Sequence, residues 1–423
     1  MARGRSVVRN CDASALIFIS MDPGYGRGEN GPVSIVRVAP RCRQRPTKQS
    51  TFWRRRKPQP ADAVDGSTLA SYLCCMNITF PAHAWEMAAP EQVGMNPAKL
   101  VVARQRLDTL VPDKPYRVAI VRDGYLVVEW LRDLAADDPI HIASAMKSVL
   151  SNMLGIAVAE GRIGGADEGA VEHFPEMMDV PPGRGPKEAR YAFDTNQGAT
   201  LRHLICNVSG YLKPGEEPGK VFNYQTTGMC LLTHCIERTY GRYDVEDPEG
   251  SAKIGGLFKE KIADRIGATW SYSAGSQPTA PDARVEVFGW GTSIATTLRD
   301  HARMGWLWCN GGRWGTEQVV PKDWLQQSVC ANRFIREHCD ELMWRYGHGF
   351  WANEFSQLWP DLPTEVFTSW GAGGNYAICF PSQRLTIAMN PVNFDGQTQP
   401  YETMTDAWRL QQQVLAPILD SIE

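Results

Sequence analysis

HIASAMKSVLSNMLG, residues 141–155, sets Ser144 three places before Lys147, where a helical apolar pattern begins. Met146, Val149, Leu150, Met153, Leu154 and Ala157 recur at intervals of three and four, and Gly161 stands where a C-terminal cap would end the pattern. The spacing predicts a buried helix beginning at Ser144. On such a helix residues i and i+3 share a face, so Lys147 can reach back toward Ser144. A serine hydroxyl needs a base to take its proton, and a lysine serves as that base only when uncharged, a state favoured by burial. The positive end of the helix dipole also stabilises an anion at the first turn. Taken alone, Ser-x-x-Lys is a common spacing that equally describes a capping serine beside an exposed lysine.

Outward from this stretch the pattern is that of an α+β fold. MNPAKLVVARQRLDTL (95–110) predicts a helix with Asn96 as cap and Pro97 at its first position. RVAIVRDGYLVVEW (117–130) is two β-rich runs joined by Asp123-Gly124, a strong hairpin signal. Beyond the serine, helical stretches near 198–206, 226–238, 253–266 and 294–310 alternate with loops such as PPGRGPKE (181–188), and predict an all-helical insertion, a lobe over about 160–290. TEVFTSW (364–370), NYAICFP (375–381) and RLTIAMN (384–390) are β-rich runs separated by turn residues, and MTDAWRLQQQVLAPILDSI (404–422) is an amphipathic helix. Strands at both ends of the chain predict one antiparallel sheet built from both, flanked by helices, with the lobe inserted and a site in the cleft between them.

The 423 residues are 43% hydrophobic and 22% charged, enough for a sizeable core. Residues 1–75 carry 13 Lys and Arg against 5 Asp and Glu, a local charge of +8 in a chain of net charge -3, which leaves the rest at -11. That head contains RCRQRPTK and WRRRKPQP and shows no sustained period, so it is expected to be a disordered extension ahead of a folded domain over 76–423. A basic tether for nucleic acid or membrane is the competing reading, but few aromatic residues accompany the charge, and no nucleic-acid partner is expected. Arg3, Arg5, Arg9 and the run ASALIFISM (13–21) loosely resemble a secretory signal; the run is short and Asp12 interrupts its start. No stretch is long and apolar enough for a membrane span. Eleven irregularly spaced cysteines read as reduced thiols, so a cytoplasmic location is expected. Cys230, His234 and Cys235 sit at helical spacing without a second ligand pair, and no metal or cofactor is expected.

Two further segments could complete a site. NYQTTG (223–228) places Tyr224 at a loop-to-helix junction, where its hydroxyl could relay protons; a buried tyrosine with one hydrogen bond is the commoner fate. SWGAGGNYAICFP (369–381) has glycines at 371, 373 and 374 just before a strand, so its main chain can approach a substrate and offer N–H groups to an oxyanion, or simply make a tight turn.

With these segments in this order, the sequence resembles the serine β-lactamase and penicillin-binding-protein superfamily over about residues 84–420. It is most similar to the class C-related serine hydrolases and esterases, including 6-aminohexanoate-dimer hydrolases. SAMK (144–147), LRHLICNVSGY (201–211), YQT (224–226), GWGTSIATTLRDHARMGWLWCNGGRW (289–314) and GAGGNYAICFP carry the resemblance. It implies that Ser144 is the nucleophile, Lys147 its base partner and Tyr224 the proton-relaying hydroxyl. The implied oxyanion hole uses the Ser144 N–H and one from Gly373, Gly374 or Asn375, and the implied reaction is acylation followed by hydrolysis. Two positions depart from the pattern. Thr226 stands where the family has the asparagine of Tyr-x-Asn, and Ser369-Trp370-Gly371 stands near the place of Lys-Thr-Gly. An apolar Trp370 fits a small-molecule ester or amide substrate better than a β-lactam. A β-lactamase or D-Ala-D-Ala carboxypeptidase on the same site, or a catalytically silent binding homologue, is the alternative. No G-x-S-x-G elbow, H-E-x-x-H or P-loop is present, and His203, His301 and His348 are expected to be structural.

Overall fold

A computed structural model describes residues 78–251, 254–276, 279–392 and 405–423; the basic head and the signal-like stretch lie outside the described residues. The chain divides after Asn77, and every described element belongs to the second unit, Ile78–Glu423. Its principal elements in chain order are α1 (Pro97–Leu110), β1 (Tyr116–Arg122), β2 (Tyr125–Arg132), β3 (Ile140–His141), α2 (Met146–Ala159), α3 (Thr227–Thr239), β4 (Ser271–Ser276), β5 (Trp290–Thr296), α4 (Leu298–Cys309), β6 (Trp351–Ala352), β7 (Phe367–Gly371), β8 (Asn375–Phe380) and β9 (Leu385–Val392), with shorter helices and a two-stranded hairpin between them. A final helix, α5, runs through Thr405–Leu410, a π-turn at Gln411–Leu415 and Ala416–Asp420. Pro417, which has no N–H for the helical ladder, sits just after that π-turn.

Six strands form the main antiparallel sheet in the order β2-β1-β9-β8-β7-β6, so strands from both ends of the chain meet at its centre. β1 lies beside β9 with Ala119 opposite Ala388 and Ile120 opposite Ile387, and every residue of β1 is buried. The β1–β2 turn uses Asp123 and Gly124, both at positive φ (53° and 90°), which a two-residue hairpin of this hand requires. Helix α4 packs across β9, β8 and β1. α1 and α5 are tied end to end: Asn96 caps α1 through Ala98 and Lys99 N–H, and its own main-chain N–H donates to Ser421 O at 2.7 Å.

The inserted segment is not wholly helical. β5 pairs with β3 on one side and β4 on the other, making a second, three-stranded sheet. WGTSIAT, whose last residues the sequence pattern assigns to a helix starting near 294, is buried strand through Thr296; Thr297 then caps α4 by accepting from the Asp300 N–H. β-Branched residues on alternating positions suit a strand whose two faces are both covered. α2 also starts later than expected. Ser144 belongs to a 3₁₀ turn, Ala143–Ala145, and the α-helix proper begins at Met146. It ends as foreseen at Gly161, with Arg162 N–H bonded to Ala157 O and Gly161 N–H to Val158 O, the paired bonds of a Schellman motif.

Candidate active site

The small sheet delivers the serine. β3 pairs with β5, the Ile142 N–H donates to Ile294 O at 3.0 Å, and His141 Nδ1 lies 2.8 Å from Ser293 Oγ. The next residue, Ala143, is held at φ 49°, a region that costs a side-chain-bearing residue roughly 1–3 kcal/mol. That reversal turns the chain from β3 into the 3₁₀ turn and leaves Ser144 half-buried at its middle, while Lys147 is only 4% exposed. Lys147 Nζ donates to Ser144 Oγ at 2.9 Å. Ser144 therefore is not a capping serine: neither the 3₁₀ turn nor α2 has a side-chain cap.

Two glycines close the main chain around this turn. A Cβ on Gly371, the last residue of β7, would stand 2.0 Å from Ile142 O and 3.0 Å from Ala145 N, so the strand and the Ser144 turn touch backbone to backbone. Gly349, at φ +76°, brings its loop against Lys147, whose carbonyl oxygen lies 2.5 Å from where its Cβ would be; Ser148 Oγ donates to Gly349 O at 2.7 Å. The helix bearing Lys147 is thus braced by the Gly349 loop.

Tyr224 comes to the same place from the lobe. Its ring centroid lies 4.8 Å from Lys147 Nζ, and the ring meets Tyr346 edge-on at 5.7 Å and Trp351 at 5.6 Å. Asn207 clamps its loop, with O accepting from Asn223 N–H at 2.9 Å, Oδ1 accepting from Gln225 N–H at 3.0 Å, and Nδ2 donating to Tyr346 Oη at 3.1 Å. Burial and the neighbouring Tyr224 push the Tyr346 phenol well above its ordinary range, so Tyr346 stays neutral. Trp370 is buried between Trp351 (5.4 Å) and Tyr376 (5.1 Å), extending the aromatic wall along β7.

The remaining expected site residues are less direct. Thr226 is exposed one residue before α3. Gly373 and Gly374, at φ 84° and 76°, form the β7–β8 turn with exposed Ala372. Asn375 keeps its side chain inside the turn: it is 3% exposed and its Nδ2 donates to Ala372 O at 2.6 Å. The point of contact with the serine turn is Gly371, two residues before Gly373. Asn207, Gly349, Tyr346 and Trp351 are not singled out by the sequence pattern; the Gly-His-Gly at 347–349 and the position of Asn207 inside LRHLICNVSGY are the signals that could have found them.

Cys230 and Cys235 are fully buried thiols, that of Cys230 pushed up to about 12 by burial, and His234 stacks on Tyr243 at 4.1 Å. Among the described residues no group of three or more His, Cys, Asp and Glu is placed to hold a metal ion. His203 Nδ1 accepts from the Thr200 N–H at 3.2 Å. Burial lowers His301 and His348 to about 3, with the charges of Arg117 and Arg202 respectively acting the same way. Among the described residues, no helix is long and apolar enough to cross a membrane.

An antiparallel sheet closed by both chain ends, with a mixed lobe inserted between its strands, is the β-lactamase/transpeptidase-like fold. The Beta-lactamase family model matches residues 116–413, and the chain belongs to that family. Among solved structures, a protein from Bacteroides dorei DSM 17855 assigned as a β-lactamase shares 16% identity at a TM-score of 0.56, over 78% of this chain and 99% of that one. One from Bacillus anthracis assigned as a 6-aminohexanoate-dimer hydrolase shares 16% at 0.52, over 82% and 88%. EstCE1, a hydrolase with promiscuous acyltransferase activity, shares 11% at 0.51, over 75% and 100%. A search of curated proteins finds no match.

Proposed function

We propose that the protein is a serine hydrolase of carboxylesters or small amides, working through an acyl-enzyme on Ser144. The observation that carries this reading is the 2.9 Å contact between Lys147 Nζ and Ser144 Oγ on a turn held from three sides. Lys147, deprotonated, takes the hydroxyl proton as Ser144 attacks the acyl carbon, and returns it to the leaving alcohol or amine. The Ser144 N–H and a main-chain N–H from the segment after Gly371 receive the developing oxyanion. Tyr224, whose ring lies against Lys147, relays protons and helps activate the water that frees the acid. The strand at this point reads Phe-Thr-Ser-Trp-Gly, with Ser369-Trp370-Gly371 near the place where β-lactam-binding relatives carry Lys-Thr-Gly, and the buried, apolar Trp370 favours an uncharged acyl group. The neighbours' assignments as an amide hydrolase and an acyl-transferring hydrolase agree with that substrate range.

The test is intact-mass detection of a covalent adduct on Ser144 across a panel of esters, amides and lactams, with p-nitrophenyl butyrate turnover alongside. Ser144→Ala should abolish the adduct and lower turnover by several orders of magnitude. Retained turnover in that variant would refute the assignment. Nitrocefin turnover well above ester turnover would move the substrate class to β-lactams, and a Ser144 that no fluorophosphonate labels would make the protein a binding homologue.

A further inference from the structure

Three buried side chains run in line from the centre of the main sheet to the turn beside Ser144. Arg117 on β1, Asn390 on β9 and Asn375 at the start of β8 are 0%, 0% and 3% exposed. The Arg117 guanidinium donates through Nη1 to Ala135 O at 2.8 Å and Asp138 O at 2.6 Å, through Nε to Asn390 O at 2.5 Å, and through Nη2 to Asn390 Oδ1. Asn390 Nδ2 donates to Asn375 Oδ1 at 2.7 Å, and Asn375 Nδ2 donates to Ala372 O at 2.6 Å.

The direction of this chain follows from chemistry. A guanidinium can only donate, so the Asn390 atom facing Nη2 must be its oxygen, and its nitrogen is left to donate onward. The Asn375 atom that receives that bond must then be oxygen, which turns its nitrogen toward Ala372. One buried cation thus sets the orientation of two amides that could otherwise sit either way round, and each bond is polarised by the one behind it. The final bond holds a carbonyl at the outer part of the turn, where Ala372 is exposed and Gly373 half-buried, while buried Gly374 accepts from the Val392 N–H at 3.1 Å. A planar trans peptide points its C=O and N–H in opposite directions, so holding Ala372 O also fixes the Gly373 N–H.

We infer that Arg117, Asn390 and Asn375 are positioning residues, a directional relay that holds the Ala372–Gly373 peptide in the orientation needed for its N–H to serve the oxyanion. The inference rests on the reading of Ser144 as nucleophile. Asn375→Asp tests it, because an ionised carboxylate keeps the acceptor for Asn390 but cannot donate to Ala372 O. With p-nitrophenyl butyrate, and active sites counted by fluorophosphonate labelling, N375D should lose about 10- to 100-fold in kcat at pH 8 with KM changed by less than about threefold. Lowering the pH protonates the new carboxyl and restores a donor, so the kcat ratio of N375D to the parent protein should climb toward acid, while that of Asn375→Ala stays flat. A merely structural asparagine would alter the melting temperature without this pH-dependent recovery.

Full kcat per active site in N375D at pH 8, or a flat ratio, would overturn the relay. If N375D does not fold, Asn375→Ser against Asn375→Ala decides, since only the hydroxyl can still donate to Ala372 O; equal kcat in the two overturns the proposal. Ser144→Ala is measured in parallel. Activity surviving there sinks the site itself, whereas an inactive Ser144→Ala beside an unimpaired N375D sinks only the relay.

Discussion

Acid should destabilise this protein through two histidines far removed in role from Ser144. His301 and His348 are 1% and 4% exposed, and their imidazoles are lowered from 6.5 to about 3. Desolvation is the larger cause in both, with repulsion from Arg117 for His301 and from Arg202 for His348, whose Nη1 lies 3.4 Å from His348 Nε2. Below pH 6.5 the unfolded chain takes up protons that the folded chain refuses, so the contribution is fully present above about 6.5 and is lost as the pH falls toward 3. At pH 5 the two values imply a loss of about 2 kcal/mol for each histidine relative to pH 7, or about 4 kcal/mol together. Against a total stability of about 5–15 kcal/mol this is a large share. Urea unfolding at pH 7 and pH 5 should show it, and the double variant His301→Gln/His348→Gln should have a pH difference smaller by about that amount. An unchanged pH difference in the double variant would refute the reasoning, because it would mean that both imidazoles titrate alike in the folded and unfolded states.

Lys147→Arg keeps a cation beside Ser144 but never an uncharged base, so turnover of p-nitrophenyl butyrate should fall by about three orders of magnitude or more; near-normal turnover would remove Lys147 from proton transfer. Gly371→Ala places a methyl 2.0 Å from Ile142 O, and should cost about 1–3 kcal/mol in unfolding together with at least about a tenfold loss of turnover, since the atom displaced belongs to the turn carrying Ser144. Gly155→Ala puts a methyl 2.3 Å from the Trp324 ring and should cost a similar stability, measured by the same urea titration, with turnover per labelled site unchanged. Asn96→Ala removes the cap of α1 and a side-chain bond to Glu423 at 2.9 Å; a loss of about 1 kcal/mol in urea unfolding is expected.

The elements legible in the sequence are those whose signals are local. Asn96-Pro97, Asp123-Gly124 and Gly161 each mark a boundary by backbone chemistry that needs no distant partner, and the structure places a helix start, a hairpin turn and a helix end there. The three-residue spacing of Ser144 and Lys147 is likewise a local signal, and the two side chains do meet. What stayed hidden depends on contacts made across the chain. β5 reads as the start of a helix until β3 and β4 are seen to cover its edges, and β6 is two residues long, with Trp351 opposite Thr368 of β7. The 3₁₀ turn at Ser144 arises because Ile142 is tied to Ile294 and Gly371 presses on the turn, neither of which is visible in residues 141–155. Asn375 reads as a candidate ligand beside glycines; only its neighbour Asn390, fifteen positions later, shows where its amide is spent.

The pairing of β1 with β9 has a consequence during synthesis. The strand that completes the Ser144 turn ends at Gly371, so the ribosome must add 227 residues after the serine before that contact can form. At about 5–20 residues per second this is an interval of about 10–45 s. Throughout it, the inner edge of the β1–β2 hairpin has no neighbour and exposes a row of ladder groups to other chains. The nascent polypeptide therefore carries the Ser144 segment long before its turn can be completed, and escape from misassembly rests on how quickly the last two strands dock once they emerge.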